Sequence, residues 1–235
     1  MTQSPRTAII TAHGQPSAPA PAEAELAKLA ADVAAYLPEW DVRSATLATP
    51  GRLEEMTEDG AVVYPFFMSQ GYFTARVLPE RLKGIKCHIV APFGLDAALP
   101  PLAARAIQQA ALAQGWDLGG LHLLLAAHGS ARGLKAAEAA EAFAARLRPM
   151  LPGCTVTPGY VEQDPRVETA AASLPARALC LPFFAQAGDH VKEDIPEALE
   201  TAQFGGPVLP VTGALPGVPG LIAKAIRSAA SDREP

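Results

Sequence analysis

Short apolar runs alternate with stretches of helical spacing along the whole chain. Residues 121–127, LHLLLAA, form a nearly continuous apolar run that ends in the polar pair His128-Gly129. A run of that length without alternation predicts a strand covered on both faces. Residues 178–184 read the same way, and residues 155–161 alternate weakly as a strand between them. Residues 208–211 predict a fourth strand. Helices are predicted over 134–148, from Pro165 onward at a favoured first helical position, from Asp189-His190 onward, and over 217–229.

The first half shows the same series. Strands are predicted at 7–12, 40–47, 61–67 and 85–91, and helices over 22–36 and 102–113, with others fitting between the strands. Residues 16–21, rich in proline and alanine, read as a surface linker. Leu37-Pro38 stops the first helix, as Leu151-Pro152 stops the helix at 134–148, because the residue before a proline disfavours helical backbone. Gly115 to Gly120 marks the expected boundary. The expected domains are therefore 1–116 and 117–235. Alternating strands and helices with short connections predict an α/β fold: two tandem domains, each a mostly parallel four-stranded sheet with helices on both faces.

The halves share landmarks at nearly constant spacing, as a duplicated domain would. His13 precedes His128 by 115 residues, Leu37 precedes Leu151 by 114, and Pro65 precedes Pro182 by 117. The segments at 65–82 (PFFMSQGYFTARVLPERL) and 182–199 (PFFAQAGDHVKEDIPEAL) match at 7 of 18 positions without gaps. His190 is not among the matches, since Phe73 stands in its place.

All strands of a parallel sheet end at one edge, where connecting loops gather functional groups. In the second half His128 ends the first strand, Glu162 ends the second and His190 follows the third. Two imidazoles and a carboxylate suit a borderline divalent metal such as cobalt, iron, nickel or zinc. They also suit proton removal near neutral pH. The first half is an internal control. It keeps His13, but Leu47 or Ala48 faces Glu162 and Phe73 faces His190. The second half is thus the chemical half, and the first a degenerate copy serving as a wall or lid. The plainer readings are a strand-end histidine for His128, a helix-start histidine bonded to Asp189 for His190, and a solvated first turn for Lys192, Glu193 and Asp194. His88 and His122, inside apolar strands, read as satisfied core histidines.

The 235 residues are 49% hydrophobic, 6% aromatic and 18% charged, so aliphatic side chains build the core. The net charge of −5 shows no basic surplus, which argues against a nucleic-acid partner. The cysteines Cys87, Cys154 and Cys180 form no CxxC pair, fit a reducing cytoplasm, and cannot alone supply four thiolates to an iron–sulfur cluster. No apolar run approaches a membrane span, so no membrane partner is expected. The run at 7–12 is too short for a signal peptide.

The segments LLLAAHGS, YVEQDP and LPFFAQAGDHVKEDIP resemble the sirohydrochlorin chelatase family of the ferrochelatase superfamily. The similarity covers 121 to about 226, and more faintly the first half. The resemblance is to a long two-domain form rather than a short form that dimerises. It implies insertion of a divalent metal ion into a tetrapyrrole such as sirohydrochlorin, in cobalamin or porphyrin biosynthesis. The metal is a substrate, cobalt first with iron or nickel as alternatives, and no organic cofactor is implied. The family's metal-site histidines carry over onto His128 and His190, and its strand-two glutamate onto Glu162; these three are also the implied catalytic residues. Several long forms use histidines of the first half, but this chain has Phe73 there. Ser130, Arg132, Lys135 and Lys192 are candidate donors to the ring's carboxylates, Arg132 offering the better fork. A chain that carries both copies is expected to be a monomer, an internal pseudo-dimer. A non-catalytic tetrapyrrole or metal carrier is the alternative. A serine hydrolase lacks its GxSxG elbow here, and a histidine phosphatase would want arginine where Ala127 stands.

Overall fold

The computed structural model describes residues 6–130 and 133–231. The elements run β1 (Arg6–Ala12), α1 (Pro19–Ala34), β2 (Trp40–Thr46), α2 (Arg52–Met56), β3 (Val62–Pro65), α3 (Leu78–Arg81), β4 (His88–Ile89) and α4 (Leu99–Ala113). They continue as β5 (His122–Ala127), α5 (Lys135–Leu147), β6 (Thr155–Tyr160), α6 (Val167–Ala172), β7 (Ala178–Phe183), α7 (Ile195–Thr201) and α8 (Val218–Ser231). A single π-helical turn precedes α3 (Phe73–Val77) and another precedes α7 (His190–Asp194).

The chain divides into two compact units. One holds 1–96 together with 217–235, the other 97–216. The expected cut at 116/117 therefore does not follow the compact units. Helix α4, from the first half of the sequence, packs on β7 and α5; helix α8, from the second half, packs on β3 and α1. An amphipathic helix carries no mark of which sheet it will cover, so the linear pattern could not reveal this exchange.

In the first unit four parallel strands run in the order β2-β1-β3-β4. Ile9, Ala45 and Val63 meet Leu53 of α2 and Leu78 of α3 on one face. Helices α1 and α8 cover the other. Helix α1 starts at Pro19, inside the stretch read as linker, with proline where its missing N–H is not needed. In the second unit the order is β6-β5-β7, all parallel. Leu123, Leu124 and Leu125 are fully buried, each contributing about 1.5–3 kcal/mol relative to exposure. Leu124, Ala126 and Cys180 pack against Val167 and Ala170 of α6 and Ile195 and Leu199 of α7. Helices α4 and α5 cover the opposite face, where the rings of Phe143 and Phe183 lie 4.6 Å apart.

The α/β class and parallel sheets are as expected, but the second sheet has three strands rather than four. The predicted strand at 208–211 is reduced to one bridge, Cys180↔Val208. Pro207 and Pro210 flank it and donate no backbone hydrogen bond. Helix α6 begins at Val167, two residues past Pro165, whose peptide bond with Asp164 is cis. His122 is not a satisfied core histidine: its Nδ1 is buried with no hydrogen-bond partner.

Two predictions follow from these units. A fragment spanning 97–216 should melt cooperatively by circular dichroism. A fragment spanning 117–235 lacks α4 and carries α8 without its sheet, and should show no cooperative transition. The second concerns Glu54, which accepts from Arg81 Nε at 2.6 Å and Nη2 at 2.7 Å, while Arg81 Nη1 donates to the Leu47 carbonyl at 2.9 Å. The hydrogen bonds from Arg81 hold the Glu54 carboxyl below its ordinary pKa. A depressed folded-state pKa gives stability that is full above the unfolded pKa and is lost as pH falls through the folded value. Glu54→Gln should therefore be less stable at neutral pH, by under about 1 kcal/mol for a partly exposed pair. The difference in denaturation midpoint should vanish on acidification below the carboxylate range.

Candidate metal and proton-transfer site

The chain passes from β5 to β6 on one side and then crosses over to β7 on the other, so the carboxyl ends of β5 and β7 form the switch point of the sheet. In open α/β sheets that is where ligands bind. His128 follows β5 there, and His190 opens the turn after β7. Their rings lie 4.5 Å apart at 84°. Glu162, two residues past β6, lies with Oε2 3.6 Å from His128 Nδ1 and Oε1 4.0 Å from His190 Nε2. One ligand atom from each of the three falls within 4.8 Å of the others, a grouping able to hold a metal ion.

Local packing aims these side chains. The strand ladder continues past the strand ends: Val161 N–H donates to the Ala127 carbonyl at 3.0 Å, and Glu162 N–H to the His128 carbonyl at 2.9 Å. Val161, Val191 and Ile195 pack into the core beneath, which leaves their neighbours Glu162 and His190 at the strand-tip surface. Gly129 takes φ +67°, and a Cβ there would lie 2.7 Å from Gln163 Cγ and 2.9 Å from Tyr160 Cβ. The glycine lets the loop turn tightly after His128. Gln163 braces that loop by accepting from Ser130 N–H at 2.9 Å.

Each imidazole has one nitrogen engaged. His128 Nδ1 lies 2.8 Å from the Gly129 carbonyl oxygen. His190 Nδ1 lies 2.5 Å from Asp194 Oδ2. Sequence reasoning placed Asp194 in a solvated turn. Its four-residue spacing from His190 was the available signal. Gln163 left no signal beyond its place beside Glu162. The thiols stand outside this set, since burial pushes Cys180 up to about 12 and Cys154 up to about 11. A nitrogen–nitrogen–oxygen set at a half-exposed edge can ligate a divalent first-row ion or accept a proton.

The other expected contacts fare differently. Lys135 Nζ pairs with Glu138 on its own helix at 2.8 Å. Lys192 is exposed on the turn of His190. Arg132 lies outside the described residues.

The first unit shows what the same scaffold becomes without these groups. Leu47 N–H donates to the Ala12 carbonyl, as Val161 does to Ala127, so Ala48 occupies the place of Glu162. His13 and Phe73 stand 4.2 Å apart where the second unit has two imidazoles. Burial lowers the pKa of His13, and nothing ionisable replaces the glutamate. Phe67 and the exposed Tyr72 complete an aromatic cluster there.

A sequence model of the CbiX family matches residues 122–229. A solved structure described as CbiX, the terminal enzyme for biosynthesis of siroheme in denitrifying bacteria, is 46% identical. The alignment covers 95% of this chain and 99% of that one, with a TM-score of 0.88. The chain belongs to the CbiX family. Within the chain, the CbiX sequence model begins at the start of β5 and so spans all three residues of the cluster. Two more distant structures share the fold. A Deinococcus radiodurans protein, described as multi-domain with structural similarity to chelatases and two additional novel domains, is 22% identical with a TM-score of 0.69. It covers 98% of this chain, and this chain spans 56% of it. SirB from Bacillus subtilis with Fe3+ is 14% identical, covers 97% of this chain and 96% of its own length, and gives a TM-score of 0.72. No curated protein matches the sequence. Among the described residues, no helix is long and apolar enough to cross a membrane.

The Gly129 geometry yields a prediction. Gly129→Ala forces a side chain into left-handed backbone and against Gln163 and Tyr160. It should lower unfolding free energy by at least about 1–2 kcal/mol, read from denaturant titration.

Proposed function

We propose that this CbiX chain is a metal chelatase that inserts a divalent ion into a tetrapyrrole of the sirohydrochlorin type. The observation that carries the reading is the convergence of His128, Glu162 and His190 at the switch point of the second sheet, within the segment that matches the family. Ion and ring are both substrates. Insertion requires that the ion shed water, that two pyrrole nitrogens lose their protons, and that the ring be held. Neutral imidazole can ligate the ion and release it, or accept a pyrrole proton. Glu162 adds negative charge that favours the ion and a second acceptor for protons.

Cobalt, iron and nickel all suit the donor set. The 46%-identical relative is described as acting in siroheme biosynthesis, which supports iron ahead of the cobalt expected from the sequence. The ring's carboxylates would be met by Lys192, Ser130, Arg132 and Lys135. Lys192 is favoured because it is exposed on the turn that carries His190, whereas Lys135 is already paired with Glu138. The repeated series of elements supports a long form whose two copies stand in for the subunits of a short-form dimer, acting as a monomer. A cytoplasmic location fits three cysteines so spaced that none forms a CxxC pair.

The test measures metal binding and ring metallation separately, with ferrous and cobaltous ions and sirohydrochlorin, following the ring's absorption. His190→Ala should lower the metallation rate by about 10²–10⁴-fold, the range for loss of a positioned acid–base group. His13→Ala should stay within about twofold of the unmodified chain. The reverse result would move the working site to the first unit. Ion binding with no change in the ring spectrum would identify a carrier instead.

A further inference from the structure

The 2.5 Å contact between His190 Nδ1 and Asp194 Oδ2 has a fixed direction. A carboxylate oxygen only accepts, so Nδ1 carries a hydrogen, and in the neutral ring the lone pair is therefore on Nε2. Nε2 is the nitrogen that faces Glu162, at 4.0 Å. His128 reaches the same state through a different acceptor, the Gly129 carbonyl. Both rings of the cluster thus have Nδ1 tied to the protein, which in the neutral ring leaves Nε2 as the acceptor. Such tying fixes tautomer and ring orientation in metal sites generally.

Asp194 is placed for this and for nothing else visible. Among the described residues it pairs with His190 and with no lysine or arginine. Ile195, the next residue, is buried in the core and anchors the turn. The internal copy supplies the control: at the same spacing of 117, Phe73 stands for His190 and Val77 for Asp194. Both copies keep the π-helical turn, and the carboxylate is missing where the imidazole is missing.

We infer that Asp194 is a positioning residue: it locks His190 as the Nδ1–H tautomer and aims Nε2 at the point shared with Glu162 and His128. This rests on the metal-chelatase reading of the same cluster. The test uses the full chain with 15N-labelled histidine, free of metal, at mildly alkaline pH, with the His190 signals assigned by their loss in His190→Ala. The unmodified chain should show the Nδ1–H tautomer at His190. Asp194→Ala should show a mixture shifted toward Nε2–H, and its dissociation constant for cobaltous ion alone should rise by about 10–100-fold. Should that variant fail to fold, Asp194→Ser, too short to reach Nδ1, makes the same comparison. An unchanged tautomer overturns the proposal. Weaker cobalt binding with an unmoved tautomer also overturns it, because Asp194 would then act only as a nearby negative charge. If His190→Ala leaves cobalt binding intact, the metal-site reading fails. The tautomer comparison, made without metal, still decides the role of Asp194.

Discussion

The register of β5 between its two parallel neighbours is the constraint on which the site depends. Ala127 faces Tyr160 on one side and Phe183 on the other, so all three strands end level. His128 and Glu162 emerge at that edge, and the turn after β7 brings His190 to it. Because both faces of β5 are covered, its consecutive leucines do not set the register by themselves; a slip of one residue would instead draw the polar His128 into the buried slot that Ala127 holds between Tyr160 and Phe183. No bond within the cluster is needed to assemble it. The imidazoles are 62 positions apart in sequence, and it is the apolar ladder beneath that brings their rings to 4.5 Å.

The two units show how little of that machinery concerns chemistry. Both have parallel sheets with the same switch point, a positive-φ glycine after the first strand, and a π-helical turn after the third. π-turns often mark functional positions, yet here one opens on a phenylalanine and the other on a histidine. The turn is therefore a property of the scaffold, and the residues placed on it decide the use. Replacing imidazole and carboxylate by Phe73 and Val77 converts a polar strand-tip cluster into an aromatic one, without altering the backbone that presents it.

Much of this was legible in the sequence because it follows from local pattern. Unbroken apolar runs gave the strands, and a polar residue at each strand end gave His128 and Glu162. Comparison of the PFF segments singled out His190. The unread features depend on tertiary choice. Helices α4 and α8 each have one apolar face, but nothing in that face names the sheet it joins. Residues 208–211 look like a strand by hydropathy, yet flanking prolines leave only two backbone bonds to Cys180. Asp194 was read as solvated because acidic residues are common in first helical turns. Only coordinates show its oxygen against Nδ1. His122 failed the opposite way: an apolar strand says that a histidine is covered, not that its ring nitrogen finds a partner.

The half-exposed setting of the cluster also bears on what it can do. A deeply buried pair of imidazoles with a carboxylate would hold an ion in low dielectric, where attraction is strong and release slow. At a strand-tip edge, solvent screens the carboxylate, and three protein donors leave coordination positions unfilled. An ion that is cargo rather than cofactor needs that balance, since it must be captured, stripped of water and given up to another set of nitrogens. Preorganising the donors offsets the weak field: with one nitrogen of each ring already tied, little rotational freedom is lost when the other meets an ion. On the proposed chelatase reading, the shallow edge and the tied rings would be complementary parts of one arrangement, the first serving release and the second capture.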